Sequence, residues 1–389
     1  MTFTERFAPV FARIAEGAVE READRRLPAE EVEWLREAGF TKLRIPVEHG
    51  GLGATLPEFT EQLIELGRAD SNLPQLLRGH IGFVESRLAH AASEVRDRWL
   101  RRIAAGVIVG NAQSERASTS WSAPESTLRP ADDGFRLDGR KFYSTGSLFA
   151  DWIQTTAAGK DGTVNVLVPA SAPGVTRIDD WDGFGQRLTG SGTTIFEDVP
   201  VAAEDVEPFE ETRSTLMAVF QLVHLASLAG IARAAVADTV AYVNGRTRNL
   251  HNPAHPSPAT DPQVQQVVGR LAGASTVVSA AVLAAAGAIS AARSEPDSDR
   301  FADRADVADV AVFGAQGVVA RLVLDLTTEL FEVGGASAVT ERFRLDRHWR
   351  NARTLASHNP VIYRDRIVGQ YLLDGTSPSA AYAKLREGA

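Results

Sequence analysis

The chain has 389 residues, of which 44% are hydrophobic and 23% charged, and 41 basic against 50 acidic residues give a formal net charge of −9. This composition is typical of a globular protein of two or three structural units, and the acidic balance gives no electrostatic reason to expect nucleic acid as a partner. The absence of cysteine excludes disulfides, thiolate nucleophiles and cysteine-ligated metals.

Residues 1–106 have the periodicity of helices, with apolar side chains at three- and four-residue spacing in the segments 31–40 and 59–69. The start of this region is a charged amphipathic pattern rather than a signal peptide, so we expect a cytoplasmic protein. A stretch rich in glycine and proline at 45–59 predicts a loop between helices.

Residues 107–209 consist of short runs of β-branched and aromatic residues separated by turns. The dipeptides Asp133-Gly134 and Asp138-Gly139 flank one short alternating run, which indicates a β-hairpin. We therefore expect a small antiparallel β domain in this part of the chain.

From residue 210 to 389 the helical period returns in long, alanine-rich segments, which predict a four-helix bundle. One of these segments, residues 271–292, contains no charge and is long enough to cross a bilayer. Because it is mostly alanine, serine, glycine and threonine, we interpret it as a bundle helix and expect no membrane partner.

The sequence does not favour a metal site or a nucleophilic triad. His251 and His255 are four residues apart, but Pro253 and Pro256 prevent the helix that would place both on one face. There is no G-x-S-x-G elbow, and no G-x-G-x-x-G follows a strand. We therefore expect no metal and no nicotinamide site.

Two segments of the β region carry side chains that suit the edge and face of a flat heteroaromatic ring. They are GNAQSE at 110–115 and KFYSTG at 141–146. From the residues alone, ordinary strand and turn roles remain an alternative explanation for both.

A third unusual segment, residues 346–360, contains three arginines, two histidines and a tryptophan. Pro360 ends the segment, so His358 and Asn359 lie at its end, where a histidine can exchange protons near neutral pH. A surface helix with capping residues is an equally good explanation of the same pattern.

At these segments the chain resembles the acyl-CoA dehydrogenase superfamily, whose fold is an N-terminal helical domain, a central β domain and a C-terminal four-helix bundle. The resemblance places the three domains at 1–106, 107–209 and 210–389, an α+β chain that is mainly α. It also implies that eight residues of the two β segments bind a flavin: Asn111, Ala112, Ser114, Glu115, Lys141, Tyr143, Ser144 and Thr145.

The branch of the superfamily is indicated by what replaces the catalytic glutamate. Dehydrogenases commonly carry Tyr-Glu-Gly-Thr late in the chain, whereas residues 355–358 here are LASH, without a carboxylate. The surrounding tract resembles two-component (group D) flavin-dependent monooxygenases, such as dibenzothiophene monooxygenase and the sulfur-acquisition oxidoreductases. Leu355 departs from that group, which often has a second histidine there.

This resemblance implies specific roles for further residues. His358, His80 and Thr145 are the implied catalytic residues, and His358 also contacts the flavin. Phe83 and Asn359 are implied to contact the substrate. Arg246, Ala336 and Ser337 are implied to bind the flavin phosphate, with Arg246 reaching a neighbouring subunit.

The implied function is oxygenation of a small substrate by O2 and reduced FMN through a C4a-hydroperoxyflavin. The implied substrate is an organosulfur compound, which places the enzyme in sulfur metabolism. An NAD(P)H:flavin reductase would supply the reduced flavin, and the enzyme would be a homotetramer. FAD instead of FMN, amine N-hydroxylation, aromatic hydroxylation, an FAD-dependent acyl-CoA dehydrogenase with a displaced base and a flavin-free scaffold are the alternatives.

Overall fold

The computed structural model describes residues 1–116, 123–209, 214–249, 252, 254–295 and 298–386, with the backbone alone at 384–386. Helices come first, strands second and helices third along the chain. This order confirms the predicted fold class. His251 and Pro253, which entered the prediction about metals, lie outside the described residues.

Seven helices form the N-terminal part, and threonine capping boxes begin two of them, where Thr2 and Thr55 accept the N–H of Glu5 and Glu58. The helices bury one apolar face each, so that Phe7 and Phe11 pack on Phe40. Their bounds are α1 Phe3–Glu16, α2 Ala18–Ala23, α3 Ala29–Ala38, α4 Leu56–Ala69, α5 Asn72–Leu76, α6 Arg78–Ala89 and α7 Glu94–Ala104.

In the described part of the chain, eight strands form one sheet in the order β6-β7-β3-β2-β4-β5-β8, and β1 pairs with β4. The sheet is mixed rather than antiparallel as predicted, because β1 and β2 run parallel to β4. Such pairs need a long connection, which the intervening hairpin provides. The strands are β1 Val109–Ala112, β2 Thr127–Ala131, β3 Gly134–Lys141, β4 Trp152–Gly159, β5 Gly162–Pro169, β6 Val175–Ile178, β7 Thr193–Val201 and β8 Val206–Pro208.

The predicted hairpin is present, and Asp133-Gly134 lies at its turn between β2 and β3. Asp138-Gly139 is not a turn, which corrects the sequence-based expectation. These residues lie inside β3 at a bulge, where the register with β7 shifts between Leu137 and Gly139. Only glycine fits there, because an added methyl group would overlap the side chain of Ser126.

Three long helices of the described C-terminal part pack against one another, and the first two of them also pack against α4. In α8, Gly230 allows close approach to α4, since a methyl group at Gly230 would lie 2.5 Å from the carbonyl carbon of Gly67. The helices are α8 Leu216–Asn244, α9 Pro262–Ala292, α10 Phe301–Glu329, α11 Asp346–Ser357, α12 Arg364–Asp374 and α13 Pro378–Arg386.

The long C-terminal helices are apolar enough to cross a membrane by length and composition alone: α8, α9, and α10 with its extension to Val333. These helices differ in burial. In the most apolar 18-residue stretch of each helix, 78% is buried in α8 but only 39% in α9. The helix that contains the uncharged segment therefore keeps much of its surface, including Val277, outside the core of this chain.

Candidate active site

A cavity of about 740 Å³ lies where the three parts of the chain meet. Its wall is formed by α5 and α6, by the β region, by the start of α8 and by the end of α11. Six residues singled out from the sequence line it together although they are far apart along the chain: Asn111, Ser114, Tyr143, Thr145, His358 and Asn359.

Several amide groups of the cavity wall have buried polar atoms without a partner in the described part of the chain. These atoms are Oδ1 of Asn111, Oε1 of Gln75 and both amide atoms of Gln186. The carboxamide of Asn111 packs tightly on α6, because a methyl group at Gly79 would lie 2.7 Å from its Oδ1. Unsatisfied buried polar groups are rare in proteins, so a wall with several of them is suited to a polar ligand.

Hydroxyl groups form a connected chain on one side of the cavity. Thr145 Oγ1 lies 2.8 Å from Ser191 Oγ, which lies 2.7 Å from Thr189 Oγ1. Tyr143, two residues before Thr145, has φ 55° and is 65% exposed, and its ring lies edge-on to Trp181. This side therefore offers hydroxyl groups beside an open aromatic face.

His358 caps the C-terminal end of α11, and its imidazole faces the cavity. The surrounding protein desolvates the ring and the charge of Arg78 repels a proton, and together they lower the pKa of His358 to about 3. The ring is therefore neutral at physiological pH. It has one N–H to donate and one lone pair to accept a proton.

His358 has a second histidine beside it. The ring of His224, from α8, lies 4.4 Å from the ring of His358, and neither of its nitrogens has a partner among the described residues. Asn359 donates to Gln221 Oε1 at 2.9 Å, and Gln221 belongs to the same helix as His224. The start of α8 thus supports both residues at the end of α11.

Among the described residues that line the cavity, none is an aspartate or glutamate, and Arg78 is the only one that carries a charge at neutral pH. A carboxylate base that would remove a carbon-bound proton is therefore missing from this part of the wall. The chemistry available here is that of a neutral imidazole, amides, hydroxyls and one guanidinium.

His80, which is implied to be catalytic, and Phe83, which is implied to contact the substrate, do not line this cavity. His80 Nε2 donates to the carbonyl of Thr41 at 2.8 Å, and Nδ1 accepts the N–H of Val109 at 3.2 Å. Phe83 is 2% exposed and packs edge-on against Trp99. Helix α6 presents Arg78 and Gly79 to the cavity, and His80, two positions after Arg78 and about 200° around the helix, points away from it.

Four of the eight residues implied to bind flavin lie behind the wall. Ala112 points away from the cavity because side chains alternate along β1, and its neighbours on both sides line the cavity. Ser144 also has neighbours on both sides that line the cavity, but is itself 2% exposed. Lys141 Nζ and Glu115 Oε1 form a buried ion pair at 2.7 Å. Glu115 also accepts from Ser126, so the pair joins two segments of the sheet.

Arg246, Ala336 and Ser337 lie outside the cavity, near one another at the end of α8. Arg246 Nη1 donates to the carbonyl of Val333 at 2.7 Å. Tyr242 and Ser337 share a hydrogen bond of 2.5 Å between their hydroxyl oxygens. Within one chain these groups cannot belong to the cavity, and their role toward a neighbouring subunit stays a prediction.

Several residues of the cavity wall were not predicted from the sequence. Arg78 and Trp181 have no local pattern that marks them, because their place depends on contacts across the whole chain. The side of α8 near the cavity was predictable in part, since Met217, Gln221 and His224 follow the helical spacing of one face.

The comparisons with known proteins agree with this architecture. The sequence profile "Acyl-CoA dehydrogenase, N-terminal domain" matches residues 5–107, and "Acyl-CoA dehydrogenase, C-terminal domain" matches residues 222–362. The dibenzothiophene monooxygenase of Mycolicibacterium goodii is 31% identical over 384 residues, covering 92% of this chain and 91% of the relative. The probable FMNH2-dependent monooxygenase SfnC of Pseudomonas putida is 29% identical over 389 residues, covering 95% and 94%.

Solved structures resemble the chain over nearly its whole length. FMN-bound TdsC from Paenibacillus sp. A11-2 has a TM-score of 0.88 at 28% identity, covering 97% of this chain and 99% of that one. The methanesulfinate monooxygenase MsuC from Pseudomonas fluorescens has a TM-score of 0.86 at 26% identity, covering 97% and 98%. The chain therefore belongs to the acyl-CoA dehydrogenase superfamily, in its branch of flavin-dependent monooxygenases.

Proposed function

We propose that the protein is a two-component monooxygenase that uses reduced FMN and O2 to oxygenate a small organosulfur compound. The observation that carries this proposal is the cavity wall, whose described residues present a neutral His358 and no carboxylate. Dehydrogenation of an acyl thioester commonly uses a carboxylate to remove a carbon-bound proton, and the described residues of this wall include no carboxylate. The names of the relatives support both the flavin and the sulfur-containing substrate.

The residues of the wall fit a flavin ring. The pyrimidine edge of that ring has one N–H and two carbonyl oxygens, and the unpaired Oδ1 of Asn111 can accept while the amide of Gln186 can donate. Ser114 and Thr145 add hydroxyl groups, and the exposed ring of Tyr143 offers a stacking face. When bound, reduced FMN supplies the two electrons with which O2 gives one oxygen atom to the substrate and one to water.

The side chains of the protein would then position the substrate and control protons. His358 can donate its N–H to the substrate or take up a proton at its free nitrogen, since it is neutral. The Thr145 hydroxyl, held by Ser191, can donate or accept beside it. Aromatic side chains of Phe220 and Trp181 restrict water in the cavity, which favours transfer of oxygen over loss to solvent.

The expected partners are a flavin reductase and further copies of this chain. We expect a separate NAD(P)H:flavin reductase, because the sequence has no nicotinamide fingerprint. We also expect a cytoplasmic homotetramer without membrane or nucleic-acid partners, in which Arg246 and Ser337 bind the FMN phosphate of a neighbouring subunit. The exposed Val277, Leu372 and Leu373 supply apolar surface for such contacts.

The function is tested by supplying the purified chain with FMN, NADH, a flavin reductase and ¹⁸O2. We expect one ¹⁸O atom in the product from an organosulfur substrate, with methanesulfinate and dibenzothiophene as the first candidates, and no product without the reductase. ¹⁸O in an amine or arene instead would assign the alternative substrates. Anaerobic oxidation of butyryl-CoA by an FAD-bound chain would contradict the proposal.

A further inference from the structure

The guanidinium of Arg78 is fixed in the cavity wall by one residue of α8. Its Nε donates to the carbonyl of Phe220 at 3.2 Å, and its Cζ lies 4.6 Å from the centroid of the Phe220 ring. These two contacts hold the plane of the guanidinium and use only one of its five N–H groups. The remaining donors are on the two terminal nitrogens.

The charge of Arg78 is not balanced within the described part of the chain. No hydrogen bond joins its terminal nitrogens to another described residue, and the described cavity lining contains no carboxylate. Burial lowers the pKa of Arg78 to about 10, so the group stays protonated at neutral pH. Charges in protein interiors are usually paired, and an unpaired cation facing a cavity therefore favours an anion as its ligand.

The polar side chains near Arg78 are neutral or offer hydrogen-bond donors, so none of them balances its charge. Burial lowers the pKa values of both His358 and His224, and the nearby positive charge of Arg78 lowers them further. In the same wall, Nε2 of Gln221 is a buried donor without a partner among the described residues. A compact group with several acceptor oxygens matches this set better than a neutral sulfide does.

Building on the proposed monooxygenase function, we propose that Arg78 forms an oxyanion subsite beside His358, and that the substrate carries a sulfinate or sulfonate group. The named relatives leave this charge open, because dibenzothiophene is neutral and methanesulfinate is an anion. The guanidinium holds the oxygens of the anion, and the apolar side chains of Leu216 and Met217 line the cavity for its organic part. Arg78 thereby selects the charge of the substrate.

Methanesulfonate and dimethyl sulfone test this subsite because they have nearly the same shape and differ by one charge. Their binding to the FMN-loaded protein is measured by isothermal titration calorimetry at pH 7.5. A charge-assisted hydrogen bond contributes about 1.5–3 kcal/mol, so we expect methanesulfonate to bind at least about tenfold more tightly. In the Arg78→Met variant this preference should disappear, and Arg78→Lys should restore part of it.

Arg13→Met is the matched control, because Arg13 also lies over an aromatic ring, at 3.7 Å from the Trp34 centroid, and does not line the cavity. It should keep the preference. Equal affinities of the two probes for the wild type would overturn the proposal. So would an Arg78→Met variant that loses FMN instead, since Arg78 would then serve the cofactor.

Failure of the subsite proposal and failure of the proposed function give different experimental results. If the wild type and Arg78→Met incorporate ¹⁸O equally well into methanesulfinate, the monooxygenase function holds and the subsite is wrong. If methanesulfonate binding depends on Arg78 but no substrate acquires ¹⁸O, the subsite holds and the oxygenase function is wrong.

Discussion

The imidazole rings of His224 and His358 lie with their centroids 4.4 Å apart and their planes inclined by 51°. One ring faces the cavity, and the other is 2% exposed behind it. Burial lowers the pKa of His224 well below its ordinary value, and the neighbouring His358 lowers it further. Two neutral rings in contact therefore form this part of the wall, and the position of His358 depends on α8 as well as on α11.

We expect the His358→Ala variant to lose product formation while its affinity for FMN stays nearly unchanged. Positioned acid–base groups contribute about 10²–10⁴-fold to rates, so kcat should fall by at least about 10²-fold. The measurement is steady-state product formation with a saturating reductase, together with an FMN titration. His90→Ala is the control, because His90 is exposed and outside the cavity wall. An unchanged kcat in His358→Ala would remove this residue from the mechanism.

The buried ion pair of Lys141 and Glu115 predicts a large loss of stability when one partner is removed. The two side chains are 0% and 2% exposed, so Lys141→Met leaves a carboxylate uncompensated in the interior. Removing one member of such a pair costs about 3–5 kcal/mol. We expect the double variant Lys141→Met/Glu115→Gln to be more stable than Lys141→Met alone, as measured by urea unfolding. A cost below about 1 kcal/mol for the single change would contradict the assigned role.

The contact between α4 and α8 predicts opposite effects of the same substitution at two helical glycines. Gly230→Ala forces the backbones of the two helices apart and should cost about 1–3 kcal/mol. Gly269→Ala in α9 meets no atom within 4 Å and should stabilise by up to about 1 kcal/mol through helix propensity. Thermal unfolding of both variants measures the difference. If both change the melting temperature in the same direction, the close approach at Gly230 is wrong.

Two buried histidines predict how stability depends on pH. Burial lowers the pKa values of His80 and His348 to about 4 from an ordinary value of 6.5. Between these limits the unfolded chain binds more protons than the folded one, so the free energy of unfolding is at its plateau above pH 6.5 and falls as the pH decreases toward 4. Each group contributes roughly 3 kcal/mol to this loss, at about 1.4 kcal/mol per pKa unit.

Urea unfolding between pH 7.5 and 4.5 measures that slope. The His80→Gln variant should be less stable at neutral pH but should lose less stability on acidification. The exposed His90 serves again as the control, since His90→Gln should keep the slope of the wild type. A His80→Gln variant with the full slope would show that His80 titrates near its ordinary pKa in the folded protein.

The sequence was sufficient for those features that depend on local patterns. Periodicity gave the succession of helices, strands and helices, and Asp133-Gly134 gave the hairpin turn. The parallel pairing of β1 with β4 could not be predicted in this way, because a strand's own residues do not specify its partner. The bulge at Gly139 was missed for the same reason, since the need for glycine comes from Ser126 in another segment.

In the site, too, features with a local sequence pattern were predictable and features that depend on contacts between distant segments were not. The segments at 110–115 and 141–146 and the end of α11 were recognisable, but the rotation of α6 was not. Most residues of that helix are buried, so its pattern does not tell which side faces the cavity and which faces Trp99. Arg78 was not predicted, because only the folded chain brings position 78 together with positions 224 and 358.

His80 lies outside the cavity wall and is hydrogen-bonded to the backbone on both sides, and its part in the reaction stays a prediction. Its Nδ1 holds the N–H of Val109, the first residue of the strand that carries Asn111 two positions later. That nitrogen can hold the strand only while it has no proton, since a protonated ring has no acceptor left. Protonation of His80 would therefore remove this hydrogen bond between the helical and β parts, next to the strand that carries Asn111 in the cavity wall.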